Sequence, residues 1–439
     1  MLILMRRIFP LFLCLLILCS PATAGALSYE EEREVSQEIV SILDAQGLIV
    51  HDQEIAWPVE MVADRLSDHV QDPMYTFKIH VIRDKSVNAF AIPDGHIFVN
   101  LGTLLFVRDL DELAAVIGHE MGHAQLRHIP QTIEEQKKIT AVSIAGMILG
   151  TLVSTRNPQA GSALIMSSLG GGENIKLAYS RRFENEADEF GSNIIRASGF
   201  NPSAMNRFLV RLGPFSGGAD IPEYLLTHPH ITNRISGQTK DTPDPRPDER
   251  YWTLYASVTG LVLPEDEALQ RAKGIPEPYR RLALGLVETR KGRHAQALNH
   301  LKGLDLPLAK AYTGLNLAMS GRQDEAYPLL KSYGVSARTR MPLAEIMEGR
   351  GEFDEAISIL APYQGQNIQV DYKLGLLYQK ASRKALSHAS FARYFFHTGK
   401  YKASLYHVDQ ALELEKDLDP AIARDLKEMK KLIGKAGIS

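Results

Sequence analysis

Two histidines four positions apart, His119 and His123, constrain this chain more than any other feature. They enclose the sequence His-Glu-Met-Gly-His at 119–123, and the preceding residues, 111–118, have the composition of a helix. On a helix, positions i and i+4 lie on one face. Two imidazoles on one face can bind a single zinc ion, and Glu120 between them can act as a general base. The motif is short enough to occur by chance, so this interpretation requires a third ligand elsewhere.

The segment Ser-Arg-Arg-Phe-Glu-Asn-Glu-Ala-Asp at 180–188 offers that ligand. On a helix, Glu184 and Asp188 share a face, whereas Glu186 points about 200° away from Glu184. An acid one turn after a ligating carboxylate can accept the free N–H of a ligating histidine. We therefore predict Glu184 as the third ligand, Asp188 as its supporting acid, and Glu186 as a surface or salt-bridging residue. His128 and His230 could also be read as metal ligands, but three ligands are already assigned.

The first residues have the pattern of a signal peptide. Arg6 and Arg7 precede an apolar run at 8–19, and Ala-Thr-Ala at 22–24 predicts cleavage after Ala24. The run is short for a membrane-spanning helix. A lipoprotein modified at Cys19 and a retained signal anchor are the alternatives. Both cysteines of the chain, Cys14 and Cys19, fall in this segment, so we expect an exported, periplasmic protein without disulfides.

The charge balance argues against a nucleic-acid-binding protein. Lys and Arg number 49 and Asp and Glu number 52, giving a net charge of −3, and no basic patch dominates. The length of 439 residues favours two domains.

Residues 25–240 mix helix and strand patterns and predict an α+β domain, mainly helical with a small sheet. Residues 30–43 form an amphipathic pattern, 75–82, 88–92 and 96–99 have strand character, and Pro-Asp-Gly at 93–95 is a turn signal. An exposed edge strand beside a zinc-binding helix can pair with an extended peptide. An ordinary core hairpin would give the same pattern.

After a proline-containing linker at 241–250, residues 251–439 are almost purely helical in pattern. Similar phrases, each with a glycine before a new helix, recur at 291–297, 320–326, 350–356 and 398–404. Leu-Gly-Leu-Leu-Tyr at 374–378 resembles the first helix of a tetratricopeptide repeat. We predict an all-α, tetratricopeptide-like solenoid of three or four helical hairpins whose surface binds protein segments. A plain helical bundle is the alternative.

A strongly apolar segment separates the two ligand-bearing stretches. It covers residues 139–153 and 161–169 and ends at three glycines, 170–172. A buried helix pair, a cover over the site and a peripheral membrane contact through 139–169 all fit this composition.

These motifs together resemble the HtpX and CAAX-prenyl-protease family of gluzincin metallopeptidases. The resemblance covers about residues 30–240 and includes His-Pro-His-Ile-Thr-Asn-Arg-Ile at 228–235. It implies one Zn²⁺ per chain, with His228 as donor to the oxyanion and Arg234 orienting the His228 loop or a nearby carboxylate. Asn88, Ala89, Phe90 and Ala91 resemble the family's substrate-side strand, although Asp94 stands where a glycine is common. The long hydrophobic helices of the membrane-spanning members are not seen.

The order of signal peptide, peptidase domain and repeats resembles periplasmic members of that family. It implies a zinc endopeptidase that acts on unfolded or misassembled outer-membrane proteins, assists their assembly and contacts the assembly machinery through the repeats. The alternatives are a latent or inactive protease acting as a chaperone or scaffold, an adaptor that works through its repeats, and another hydrolase using the same metal. Glu120 is intact, which argues against inactivity. His228 could instead occupy the fourth zinc position, and we favour such a closed resting site.

Overall fold

The computed structural model describes residues 27–135, 179–214, 222–228 and 247–435, with a few single positions between these ranges. The predicted signal peptide, Arg234, His230, most of the apolar segment at 139–169 and half of the predicted linker lie outside the described residues. The chain divides into two compact units, Met1–Val258 and Thr259–Ser439. Within the described ranges, every helix is too short or too polar to cross a membrane.

The first unit contains a three-stranded sheet among helices. Its elements, in chain order, are α1 (Tyr29–Ala45), α2 (Gln53–Ser67), β1 (Lys78–Ile82), β2 (Ala89–Ile92), β3 (His96–Asn100), α3 (Leu101–Phe106), α4 (Leu110–Gln125), α5 (His128–Glu135), α6 (Arg181–Ala197), α7 (Ala204–Leu212) and α8 (Glu223–Thr227). Helix α9 (Glu249–Leu261) begins inside the predicted linker and crosses the division between the units.

The sheet has the order β1-β3-β2, with β1 parallel and β2 antiparallel to β3. Asp94 and Gly95 connect β2 to β3 with φ values of 59° and 73°. Two successive positive φ values match the right-handed twist of a hairpin, and aspartate tolerates this conformation. A Cβ on Gly95 would lie 2.7 Å from Tyr75 Cβ. Strand β1 begins at residue 78 rather than the predicted 75. Tyr75, which lies before the strand, donates its hydroxyl to Glu32, 2.5 Å away, and so makes a tertiary contact that the alternating pattern does not reveal.

Helices α4 and α6 approach until their backbones touch. A Cβ on Gly122 would lie 2.9 Å from Ala187 Cα, and a Cβ on Gly191 would lie 3.1 Å from the carbonyl carbon of Gly118. Only glycine permits such a close approach. The contact therefore sets the distance between the two helices that carry the predicted ligands.

The start of α4 is fixed by a buried ionic cluster. The Asp109 carboxylate caps α4 by accepting from Glu112 N at 2.8 Å, and Glu112 is fully buried. Arg207 on α7 donates to Asp109 at 2.7 Å, and Arg211 donates to Glu112 at 2.7 Å. Removing one partner would leave a buried charge uncompensated, so the cluster ties α7 firmly to α4.

The second unit is helical throughout its described part. After α9 it contains α10 (Glu265–Ala272), α11 (Tyr279–Arg290), α12 (His294–Leu301), α13 (Pro307–Met319), α14 (Gln323–Tyr333), α15 (Ala337–Gly349), α16 (Phe353–Leu360), α17 (Ile368–Lys380), α18 (Lys384–His397), α19 (Tyr401–Glu413) and α20 (Pro420–Lys435). Short 3₁₀ helices lie at Ala361–Tyr363 and Glu415–Asp417.

Between residues 279 and 435, all of them described, ten α-helices pack each on the next along the chain, beginning with four hairpins, α11–α12, α13–α14, α15–α16 and α17–α18. Gly292, Gly321 and Gly351 make the turns inside the first three pairs with positive φ. Ser382, with φ 62°, makes the corresponding turn between α17 and α18, so that hairpin has no glycine to mark it. Gly399 makes the turn between α18 and α19 in the same way, with φ 70°, and these two helices also pack closely on each other. The first helices of pairs one to four also pack on one another, as stacked hairpins do. Assignment to tetratricopeptide repeats stays a prediction.

Candidate metal centre

Four buried side chains converge at one point of the first unit. His119 and His123 come from α4, Glu184 from the first turn of α6, and His228 from the residue after α8. Each is at most 2% exposed. One donor atom from each lies within 4.8 Å of the others. The structure thus brings together the three sequence-predicted metal ligands and His228.

The spacing of these donor atoms is close to that of the ligands around a tetrahedral zinc ion. Ligands about 2.0–2.2 Å from tetrahedral zinc lie about 3.3–3.6 Å apart. His119 Nε2 lies 3.1 Å from His123 Nε2 and 3.6 Å from Glu184 Oε2. His228 Nδ1 lies 3.3 Å from His119 Nε2 and 2.9 Å from Glu184 Oε1. Three imidazole nitrogens and one carboxylate oxygen are a donor set that zinc accepts, so the residues present fit the metal.

The predicted base and the predicted supporting acid both lie next to this cluster. Glu120 is fully buried, and its Oε1 is 3.4 Å from His228 Nε2. Asp188 Oδ1 lies 2.9 Å from His119 Nδ1, the nitrogen that faces away from the donor cluster. A carboxylate in that place fixes the tautomer and ring orientation of the histidine.

His123 has a different support, which the sequence did not indicate. Its Nδ1 lies 2.9 Å from His128 Nδ1, and His128 Nε2 lies 3.1 Å from Glu186 Oε2. Glu186 also forms an ion pair with Arg182 at 3.4 Å, which agrees with a salt-bridging role. Burial lowers the pKa of His128 to about 4, although Glu186 acts to raise it. His128 therefore contacts His123, a predicted ligand, but is not itself part of the donor cluster. Arg127, with φ 55°, turns the chain to place it there, and a positive φ at arginine has no sequence signature.

Two tyrosines, also missed from the sequence, pack on the imidazoles. Tyr179 precedes the N-cap of α6 and stacks on His123 with ring centroids 3.8 Å apart. Tyr224 stacks on His228 at 4.5 Å. Burial, with Glu120 and Glu184 nearby, raises the pKa of Tyr179 well above its ordinary value. Both rings restrict the planes of the imidazoles that they cover.

The predicted substrate strand lies at an edge of the sheet. In the described part of the chain, β2 has β3 as its only ladder partner, and α4 packs beside β2. Asn88, Ala89 and Ala91 are buried, and Phe90 stacks on Phe98 at 4.9 Å. Any peptide pairing would therefore use the backbone of β2 rather than these side chains.

A family model and several curated relatives match this chain. Residues 54–240 match the model of Peptidase family M48. The beta-barrel assembly-enhancing protease of Yersinia pestis is 26% identical over 297 residues, which cover 66% of this chain and 59% of that protein. Metalloprotease LoiP of Escherichia coli K12 is 28% identical over 222 residues, covering 48% of this chain and 84% of LoiP. Mitochondrial metalloendopeptidase OMA1 of Arabidopsis thaliana is 32% identical over 156 residues, covering 35% and 29% of the two chains.

The predicted resemblance to a family of metallopeptidases is confirmed, and the matched relatives include the beta-barrel assembly-enhancing protease. The chain spans 50–59% of the length of the matched proteins of that name from Yersinia pestis and Escherichia coli K12. The match to the M48 model contains every residue of the donor cluster together with Glu120 and Asp188. Residues 54–240 of this chain therefore form a domain of peptidase family M48.

Proposed function

We propose that this chain is a zinc-dependent endopeptidase, with His119, His123 and Glu184 as metal ligands. The observation that carries the proposal is the tetrahedral spacing of buried nitrogen and oxygen donors beside a buried glutamate. A bound zinc ion lowers the pKa of a water ligand and polarises a peptide carbonyl. Glu120 accepts the proton of the attacking water and passes it to the leaving amine.

The edge strand β2 supplies the binding half of the proposal. It runs beside α4, which carries the base, and its outer backbone edge suits pairing with an extended peptide. Tyr224 N, in α8, donates to Val87 O at 3.1 Å, just before β2 begins. Pairing at this edge would therefore occur next to the segment that ends at His228.

We propose a closed resting site in which His228 Nδ1 holds the fourth zinc position. Its Nδ1 lies 3.3 Å from His119 Nε2, within the spacing of tetrahedral zinc ligands, and 2.9 Å from Glu184 Oε1. The opposite ring nitrogen faces Glu120, so one side chain covers both the metal position and the base. Opening requires His228 to leave a fully buried place against Tyr224. The oxyanion-donor role then belongs to the open state, with Arg234 orienting the loop.

For substrates, we propose unfolded or misassembled outer-membrane proteins in the periplasm, reached after export by the predicted signal peptide. The names of the beta-barrel assembly-enhancing protease relatives support this class of substrate. The paired helices of the second unit would contact substrates or the assembly machinery.

The test compares Glu120→Gln with Glu189→Gln, which makes the same change at an exposed position of α6. Zinc content and cleavage of unfolded casein are measured for both variants and for the wild type, with and without chelator. We expect all three proteins to hold one zinc ion, and only Glu120→Gln to lose cleavage, by several orders of magnitude. Loss of zinc in Glu120→Gln would make Glu120 a ligand. A zinc-bound wild type without cleavage, even after His228→Ala, would favour the chaperone alternative.

A further inference from the structure

On the side of His123 that faces away from the donor cluster, the imidazole of His128 contacts His123, and the carboxylate of Glu186 contacts His128. We propose that His128 and Glu186 are positioning residues that hold His123 in its metal-binding tautomer and orientation. The proposal rests on the zinc site proposed above. Neither residue touches the metal position, because His128 meets His123 at Nδ1 and Glu186 meets only the far nitrogen of His128.

The direction of the hydrogen bonds follows from the donor geometry. His123 presents Nε2 to the cluster, so its hydrogen belongs on Nδ1 and is donated to His128 Nδ1. With Nδ1 accepting, neutral His128 carries its hydrogen on Nε2, which donates to the Glu186 carboxylate. Each bond thus fixes the tautomer of the next ring, ending on a negative charge.

His128 is placed rigidly enough for this role. It is fully buried, and its ring stacks on Phe183 with centroids 4.3 Å apart. The Arg127 turn that delivers it is anchored because Arg127 donates to Glu32 at 2.9 Å and to Leu27 O at 2.8 Å. Three segments, the α4–α5 turn, α6 and the start of α1, therefore meet in the support of one ligand.

The two ligating histidines of α4 are supported unequally. His119 meets the Asp188 carboxylate directly, whereas His123 reaches a carboxylate only through an intervening imidazole. Glu186 is 38% exposed in its side chain and pairs with Arg182. The support of His123 therefore extends from the buried metal position to the surface of α6.

A set of four variants separates positioning from packing. His128→Asn keeps an acceptor near the Nδ1 position but does not reach Glu186, and His128→Leu fills the space without an acceptor. Glu186→Gln retains size and a weaker acceptor, and Glu189→Gln is the matched control on an exposed face of the same helix. The readouts are the zinc dissociation constant from competition with a chromogenic chelator, the Tm of the zinc-free protein, and the visible spectrum of the Co²⁺-loaded form.

We expect His128→Leu to weaken zinc binding about 10–100-fold, as loss of such outer partners usually does. His128→Asn should recover most of that loss, Glu186→Gln should weaken binding several-fold, and Glu189→Gln should match the wild type. The Co²⁺ spectrum should shift for His128→Leu and not for the control, while the zinc-free Tm of Glu186→Gln stays near the wild-type value.

Unchanged zinc affinity in Glu186→Gln would overturn the link to Glu186, even if His128→Leu failed to fold. Equal loss in His128→Asn and His128→Leu would overturn the hydrogen-bonding role and leave packing as the explanation. A wild type that binds zinc but cleaves nothing would count against the proposed function alone, provided that the affinities still fall in this order. A wild type that binds no zinc would overturn both.

Discussion

Replacing His228 with alanine distinguishes a blocking histidine from a catalytic one, because the two roles predict changes of opposite sign. In the structure, His228 Nδ1 lies 3.3 Å from His119 Nε2, which is the spacing of a fourth ligand, and 2.9 Å from Glu184 Oε1. If the open form makes up about 1–10% of the resting protein, removing the blocking side chain should raise basal cleavage about 10–100-fold. Loss of an oxyanion donor would instead lower the rate about 10²–10³-fold.

The assay measures cleavage of a short unfolded peptide at saturating zinc, because removal of a fourth ligand also weakens metal binding. His69→Ala, which removes an exposed histidine at the end of α2, is the control and should leave the rate unchanged. A fall in rate of 100-fold or more, with zinc retained, would refute the closed resting site and assign His228 to the oxyanion. An unchanged rate would refute both roles.

Three further changes test the ligands, the helix contact and the domain boundary. Glu184→Ala should remove zinc, whereas Asp188→Ala should weaken its binding about 10–100-fold, as measured by metal analysis and chelator competition. Gly122→Ala should lower the free energy of unfolding by about 1–3 kcal/mol and weaken zinc binding, because its Cβ would lie 2.9 Å from the α6 backbone; denaturant unfolding measures the loss. A fragment ending at Asp248 should unfold at lower denaturant than one that includes α9, since Tyr251 is 4% exposed and donates to Val107 O at 2.9 Å. Equal midpoints would contradict that boundary.

Helical spacing was sufficient to predict the part of the candidate site formed by His119, Glu184 and Asp188. A period of 3.6 residues puts Glu184 and Asp188 on one face of α6, and the structure places both beside His119. The contact between His123 and His128 depends on a turn instead. His128 contacts His123 because Arg127 turns the chain with a positive φ. Arginine seldom adopts this conformation, so the turn could not be predicted from the sequence.

The same limit applies to the helical unit. Glycine phrases identify turns where glycine makes them, but Ser382 adopts the left-handed conformation without glycine. A search for glycines therefore misses the turn between α17 and α18, whereas the Gly399 phrase does mark a turn, the one between α18 and α19. For the sheet, all three strands were expected. One end of β2 and one end of β3 differ from the prediction by a single residue, and β1 begins three residues late, after a segment in which Tyr75 contacts Glu32 through tertiary structure.

Helices α4 and α6 are in backbone contact at Gly118, Gly122 and Gly191. The distance between the metal ligands on these helices therefore depends on main-chain packing and not on the size of a side chain between them. We expect exchanges among aliphatic core residues away from this contact to leave Glu184 in place relative to the two histidines. A lineage can therefore replace most of its sequence and keep one metal geometry, and an identity of 26% to a relative is no obstacle to that. A single methyl group at the point of contact would instead meet the backbone of the facing helix and change that geometry.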